Sequence, residues 1–506
     1  MKNKKIVFSV CAIASLAMPV TMLAQNVDTA VQETTVGSVC SRASDCTKCD
    51  ILQLLHYQLN AVRNDIVLPS EIGGKSIRWE MSNASGGDNE YMTFDGKTLH
   101  VRKLPKGNYM KVGVLKAEVD GETMKFDVTF APDDEKFGYL YCHMAGTSEN
   151  TLYALGKKED EGVKFHPLLN NQPVYDAEEI AGIEGGVRDA FILRAAEGNG
   201  YLMVTTDMSN RKSRTWFNHG INLLKSNDLI HWTSTTFDFR KGSEIFSDPD
   251  SRDVYKDYSL INRVWAPQII WDKDYDNGKG GYFVYYSMLS TNEGDDHDRM
   301  YYSYADKDFT ILTKPRLLHD RGIAMIDCHI DWNDCDRQYH IFFKREGVSG
   351  YERGIYKAVF DKLGTGEWHD VLHITNEGKE NVEGPSAFRL INENRWKVAY
   401  IRYSGGKCYK LCNADATLEN IDKGTPIEGD VNPQHGSFMT VTEAEYNLLE
   451  TWSALKLRVQ ELEASGTKAA SSKKVKAAKA ALEEQYKNDA IAQLTALYAK
   501  HLKALK

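Results

Sequence analysis

Three things are scarce in this chain of 506 residues. Past its first two dozen residues it has no apolar run long enough to span a bilayer, which takes about 20 residues as a helix. It has no excess of positive charge: 62 Lys and Arg face 71 Asp and Glu, a formal net charge of −9. A chain this acidic suits neither nucleic acid nor an anionic lipid surface, and a neutral substrate fits it better. Cysteine is sparse too, at nine. Cys40, Cys46 and Cys49 stand close together, but no fourth ligand lies near enough to complete a zinc site. A disulfide in an oxidising compartment is the plainer reading. Cys328 with Cys335, and Cys408 with Cys412, are further candidate pairs, and spacing leaves the connectivity open.

The N-terminus agrees with such a compartment. Lys2, Lys4 and Lys5 precede a mostly apolar stretch from Ile6 to Leu23, and Ala24 before Gln25 offers a cleavage point, the pattern of a secretory signal peptide over 1–24. An uncleaved membrane anchor is the competing reading, disfavoured by the small residues and Pro19. Cleavage removes the three lysines and takes the net charge to −12. The expected mature protein is exported, to the periplasm or the extracellular space, and keeps no transmembrane segment.

Four regions follow. Residues 25–50 are small and polar and read as a linker. From 51 to 131, short apolar segments at 66–68, 77–80, 99–101, 112–119 and 124–130 alternate with Gly and Asn turns, which predicts a small β-sandwich. It holds no catalytic-type cluster, so its expected role is spacer or weak glycan binder. From 135 to 441, aromatic-rich strands begin at Tyr201, Tyr282, Tyr339 and Trp396, each preceded by a second apolar strand. Their starts are 81, 57 and 57 residues apart. A repeated unit of this size predicts an all-β propeller, with the strands in 138–155 supplying a fifth blade or helping to close the ring. From 442 to 506 the pattern turns helical. Thr442 to Glu445 is a capping box. Tyr446, Leu449, Val459 and Leu462 then recur at helical spacing, and a second helix is expected to carry Leu482, Tyr486, Ala490, Leu494 and Leu497 on one face. Its lysines read as a solvated face, or less plainly as a surface for an acidic partner.

Beside the first strand of each repeat stand Asp189, Trp265-Ala-Pro267, Asp327 and Glu383. The carboxylates precede their aromatic strands by 12, 12 and 13 residues. In a propeller, first strands line the central channel, so equivalent positions converge at one mouth. Crowded carboxylates cannot all ionise freely, and one of them tends to keep a proton. One protonated and one ionised acid is the pair that glycoside hydrolysis needs.

These segments resemble glycoside hydrolase family 43 over roughly 138–450. Val187-Arg-Asp189-Ala resembles the segment of the general base, Ile326-Asp327 that of the aspartate tuning the acid, and Glu383-Gly-Pro-Ser386 that of the general acid. Trp265-Ala-Pro267 resembles the second-blade turn, and Ser226 to Trp232 an outer-strand turn. His435-Gly-Ser437 is similar to the segment whose histidine sits on the propeller axis near a calcium ion or water. Residues 51–131 look like reduced bacterial immunoglobulin-like domains. The chain departs from the family at Ala190, Gln268 and Cys328, where Pro, Glu and Pro are usual. The resemblance implies a five-bladed propeller that hydrolyses glycosides with inversion. Asp189 would activate water, Glu383 would protonate the leaving oxygen, and Asp327 would raise the pKa of Glu383. Arg188, Trp265 and Gln268 would contact the sugar, and His435 would bind an axial Ca2+ or water. The implied substrates are arabinose- or xylose-containing glycans, with α-L-arabinofuranosidase the first choice. β-Xylosidase, galactan hydrolysis and a non-catalytic carbohydrate-binding propeller are the alternatives. A retaining enzyme acting on fructans lacks its expected nucleophile motif here.

Overall fold

The structure is a computed structural model. It describes residues 136–506 except 145–148, 197–199, 248–256, 293, 347–352, 366, 376–380, 404–406, 430, 432 and 468–469. Ahead of these it describes 59, 62, 65–72, 75–82, 92–101, 111–119 and 121–130. The signal peptide, the linker and Cys40, Cys46 and Cys49 lie outside the described residues.

Between Ile66 and Phe130 two three-stranded antiparallel sheets form. One pairs Ile66–Val67 and Met92–Phe94 with Thr98–Val101, and the other pairs Arg78–Ser82 and Glu122–Phe130 with Lys111–Val119. Leu68, Leu99, Leu115, Phe126 and Val128 share one core beneath them. Alternation of apolar and polar residues along these strands leaves one face of each sheet to water.

Glu71–Ile72 and Lys75–Ser76 add a two-stranded hairpin, and the strands from Gly138 onward make five four-stranded antiparallel sheets, the blades of a β-propeller. Blades two to five each run in chain order from an inner strand outward, and their inner strands are Arg188–Arg194, Ile261–Asp272, Met325–Asn333 and Val382–Arg389. Blade one is built differently. Gly138–Met144, Thr151–Lys157 and His166–Pro167 supply its outer three strands, and its inner strand is the last of the chain, Gly436–Val441, paired to Gly138–Met144. The N-terminal strands expected to complete the ring therefore share a blade with the C-terminal one. Each inner strand touches the next around a closed circle.

Five apolar clusters lie between successive blades, and the side chains of one strand divide between them. Tyr282, Val284 and Tyr286 pack toward blade two, while Phe283 and Tyr285 pack toward blade four. Strands buried on both faces read as continuous aromatic runs for this reason.

The tail is not a free extension. Helix Glu443–Ala464 starts at the expected capping box and lays Leu448, Leu449, Trp452 and Leu455 into the core between blades one and two. The second expected helix is two, Lys473–Leu482 and Ala490–Ala504. The polar run from 483 to 489 interrupts it, and His231 of an outer turn of blade two faces the Leu482 carbonyl at 2.8 Å. The lysines of the shorter helix lie exposed, as a solvated face requires.

Neither Cys328 and Cys335 nor Cys408 and Cys412 are joined by a disulfide, which corrects both candidate pairs. Cys408 and Cys412 sit four residues apart on one extended strand, about 13 Å at strand rise, beyond a disulfide's Cα reach of roughly 7 Å. Cys328 lies in the inner strand of blade four and Cys335 in the turn beyond its end.

Candidate active site

The inner strands of blades two to five all break register at the same place, between Arg188 and Phe191, Trp265 and Gln268, Ile326 and His329, and Glu383 and Ser386. At each break one residue turns left-handed: Asp189, Ala266, Asp327 and Gly384, with φ of 54°, 45°, 53° and 61°. A β-bulge of this kind re-aims side chains at the expense of local strain. The carboxylates thus lie within the inner strands. Asp189 and Asp327 occupy the left-handed position itself, and Glu383 the residue before it, which accounts for its spacing of 13 rather than 12.

Asp189, Asp327 and Glu383 meet at one mouth of the ring. Asp189 Oδ2 accepts from Thr206 Oγ1 at 2.9 Å, and Oδ1 lies 3.2 Å from His435 Nδ1. Thr206 Oγ1 in turn accepts from the amide of Ala266 at 2.8 Å, tying Asp189 to the Trp265-Ala-Pro267 turn. Asp327 Oδ2 accepts from the amide of Gly384 at 3.0 Å. Glu383 accepts from the Tyr403 hydroxyl and faces Lys344 Nζ at 3.5 Å. Gly384 is required here twice over: its φ is left-handed, and a Cβ would sit 2.8 Å from the His435 ring.

The charges sort themselves accordingly. Burial alone would raise the Asp189 carboxyl, but the His435 contact, the Arg188 charge and the Thr206 bond outweigh it and hold Asp189 below the usual range. Asp327 is pushed up to about 6, by burial first. His435 pulls it back, Glu383 and Asp189 push further, and Lys344 opposes them. His435 rises to about 9 because the surrounding carboxylates overcome its burial. Asp327, the carboxyl driven upward, is the one that the resemblance casts as the tuner of the general acid. The His435 ring faces Asp189 through Nδ1, and among the described residues no three His, Cys, Asp or Glu side chains gather to hold a metal.

The expected sugar contacts fare differently. Trp265 lines a cavity of about 700 Å3 beside the bulge of blade three, with the Arg263 guanidinium 4.9 Å from its ring. Arg188 turns to Glu149 at 2.8 Å and stacks on Trp216 at 5.4 Å. Gln268 does not reach the cavity. The register shift turns it inward, where it is 2% exposed and its Oε1 lies 3.0 Å from the Tyr285 hydroxyl and 2.9 Å from His329 Nδ1.

Lys344 and Tyr403 went unread in the sequence. Lys344 is 4% exposed and also pairs with Glu346 at 2.7 Å. A lysine inside the run Tyr339-His-Ile-Phe-Phe-Lys, buried on both faces, was the available signal, because a buried amine needs acidic partners. Tyr403 had none: it directly follows the second strand of blade five, and only closure of the ring brings it to Glu383.

A family model described as "Probable glycosyl hydrolase domain", of the group related to glycoside hydrolase family 43, matches residues 134–447. A curated α-L-arabinofuranosidase of Bifidobacterium longum subsp. longum is 26% identical over 351 residues, 65% of this chain and 30% of that protein. The chain thus spans under a third of the length of this relative. Among solved structures, an endo-arabinase from Bacteroides thetaiotaomicron is similar at 16% identity and TM-score 0.33, over 48% of this chain and 79% of the other. An endo-1,4-β-xylanase from the same organism is similar at 10% identity and TM-score 0.37, over 59% and 92%. With the matched segment covering all five blades and every carboxylate of the site, the chain belongs to the family 43-related glycosyl hydrolase domains.

Proposed function

We propose that this protein is an exported, inverting glycoside hydrolase that removes α-L-arabinofuranosyl residues from plant polysaccharide or oligosaccharide. The observation that carries the reading is the meeting of three carboxylates with unlike partners: Asp189 on Thr206 and His435, Asp327 on the Gly384 amide, and Glu383 on Tyr403 and Lys344. In this scheme Asp189, braced by Thr206 and His435, takes a proton from the attacking water. Glu383, oriented by Tyr403 and Lys344, protonates the departing oxygen. Asp327 binds the sugar and fixes Glu383 through the Gly384 amide. The arabinofuranosyl preference is supported by the curated relative's activity, and export by the basic and apolar N-terminal stretch.

The test is turnover of 4-nitrophenyl α-L-arabinofuranoside within a panel of aryl glycosides that includes the xyloside and galactoside. Asp189→Ala and Glu383→Gln are each expected to lower kcat by at least about a thousandfold. Near-full turnover in either variant overturns the assigned role. Proton NMR of the first-formed anomer reads the stereochemistry, and a retained configuration overturns the water-activating role of Asp189.

A further inference from the structure

The connection at 208–219, between the second and third strands of blade two, is pinned at both ends. At its start, Glu149 is buried and accepts from Ser209 Oγ at 2.9 Å and from the amides of Asn210 and Arg211 at 2.9 and 3.2 Å. The same carboxylate holds Arg188, the neighbour of Asp189. At its end, the fully buried Asn218 side chain accepts from the Val264 amide at 2.9 Å and donates to the Val264 and Gly220 carbonyls at 2.8 and 2.9 Å. Val264 precedes Trp265, so the loop is stitched to the strand that carries the cavity wall.

Between these anchors two large aromatic side chains face water, Trp216 at 57% exposure and Phe217 at 49%. Trp216 stands edge-on to Trp265, ring centroids 6.4 Å apart, with Arg188 on its ring. A folded protein that fixes an exposed tryptophan by this many contacts has oriented it before any ligand arrives, so little ordering is left for binding to overcome. Both aromatics line the cavity of about 700 Å3 with Trp265, and His297, Asp298 and Glu346 also line it. Its lining includes Ile326, the neighbour of Asp327. An apolar platform combined with hydrogen-bonding groups matches a sugar ring, which has C–H faces and a hydroxyl rim.

We propose that Trp216 and Phe217 form a stacking subsite for a sugar unit next to the one whose bond is cleaved, so that the site takes a neutral glycan chain. This rests on the hydrolase reading above, and the experiment separates the two. Arabinoxylan, arabinan and arabinogalactan serve as polymer probes, in affinity gels and in kinetics beside 4-nitrophenyl α-L-arabinofuranoside. Trp216→Ala is expected to abolish the gel retardation shown by the wild type. On the retarding polymer it should lose about tenfold more kcat/KM than on the aryl glycoside, mainly through KM. Trp216→Phe, which keeps a flat ring on the same backbone, should retain most of the retardation. Equal losses on polymer and aryl glycoside, unchanged retardation of Trp216→Ala, or a wild type that cleaves the aryl glycoside without being retarded by any polymer would each overturn the subsite. Retardation of the wild type but not of Trp216→Ala, without turnover of any substrate, would sink the hydrolase reading and leave the subsite standing.

Discussion

Asp327 holds its proton more tightly in the fold than in the unfolded chain, near 6 against an ordinary value of 3.8. The folded state therefore binds the extra proton between those values, and its stability falls as pH rises through them. Asp327→Asn keeps the oxygen that accepts from Gly384 but has no proton to lose. Relative to wild type it should gain roughly 2 kcal/mol in urea unfolding between about pH 4 and pH 6.5. A constant difference across that window would argue against a buried, raised Asp327. Tyr403→Phe removes the hydroxyl that orients Glu383 and should lower kcat about 10- to 100-fold with little change in KM, the size of a hydrogen bond to a charged group. At this scale the three carboxylates were legible because each stands beside an apolar strand at matched spacing. The protonation of Asp189 and Asp327 was not. It depends on His435, from the approach to the final strand, and for Asp327 also on Lys344, from the second strand of blade four.

The element that most departs from its sequence reading is the tail. Its first helix was legible in full, cap included, since capping boxes and 3.6-residue periodicity are local. That it docks was not. Glu445 of that helix accepts from Arg194 Nη2 at 2.8 Å and from the Tyr201 hydroxyl, both in blade two. Burial opposes its charge, yet Arg194 and Tyr201 bring the carboxyl down to about 2. The stability it supplies is thus present above about pH 4.5 and lost as pH falls toward 2. Glu445→Ala leaves Arg194 half-buried without this partner and should cost about 3 kcal/mol at neutral pH by urea unfolding. The deficit should shrink as the buffer is brought toward about pH 3. Gln268 shows the converse at this scale: the resemblance implies that it contacts the sugar, and the one-residue register shift after Trp265 leaves it in the interior.

At the scale of the whole molecule, the ring closes through a single strand pair, Gly436–Val441 against Gly138–Met144, nearly 300 residues apart. Gly436 sits where any Cβ would lie 2.3 Å from the Cys142 carbonyl oxygen. Gly436→Ala must force the closing strand away and should destabilise the protein by about 2 kcal/mol, with a lower Tm in thermal melts. Gly466, left-handed but with open space where its Cβ would be, serves as the comparison. Gly466→Ala should move Tm less than Gly436→Ala, and the reverse order would mean that blade one does not close this way.

The sequence by itself determined the repeat, the strand composition, the helical cap and the identity of the three acids, because hydrophobic period, turn residues and spacing act over a few residues at a time. Only the tertiary structure decided which acid is pushed toward its proton, that the ends of the propeller share a blade, that the tail packs into the ring, and that Trp216 stands over Arg188 beside Trp265. Each of these depends on contacts between segments far apart in the chain, and such contacts leave no period in the sequence to read.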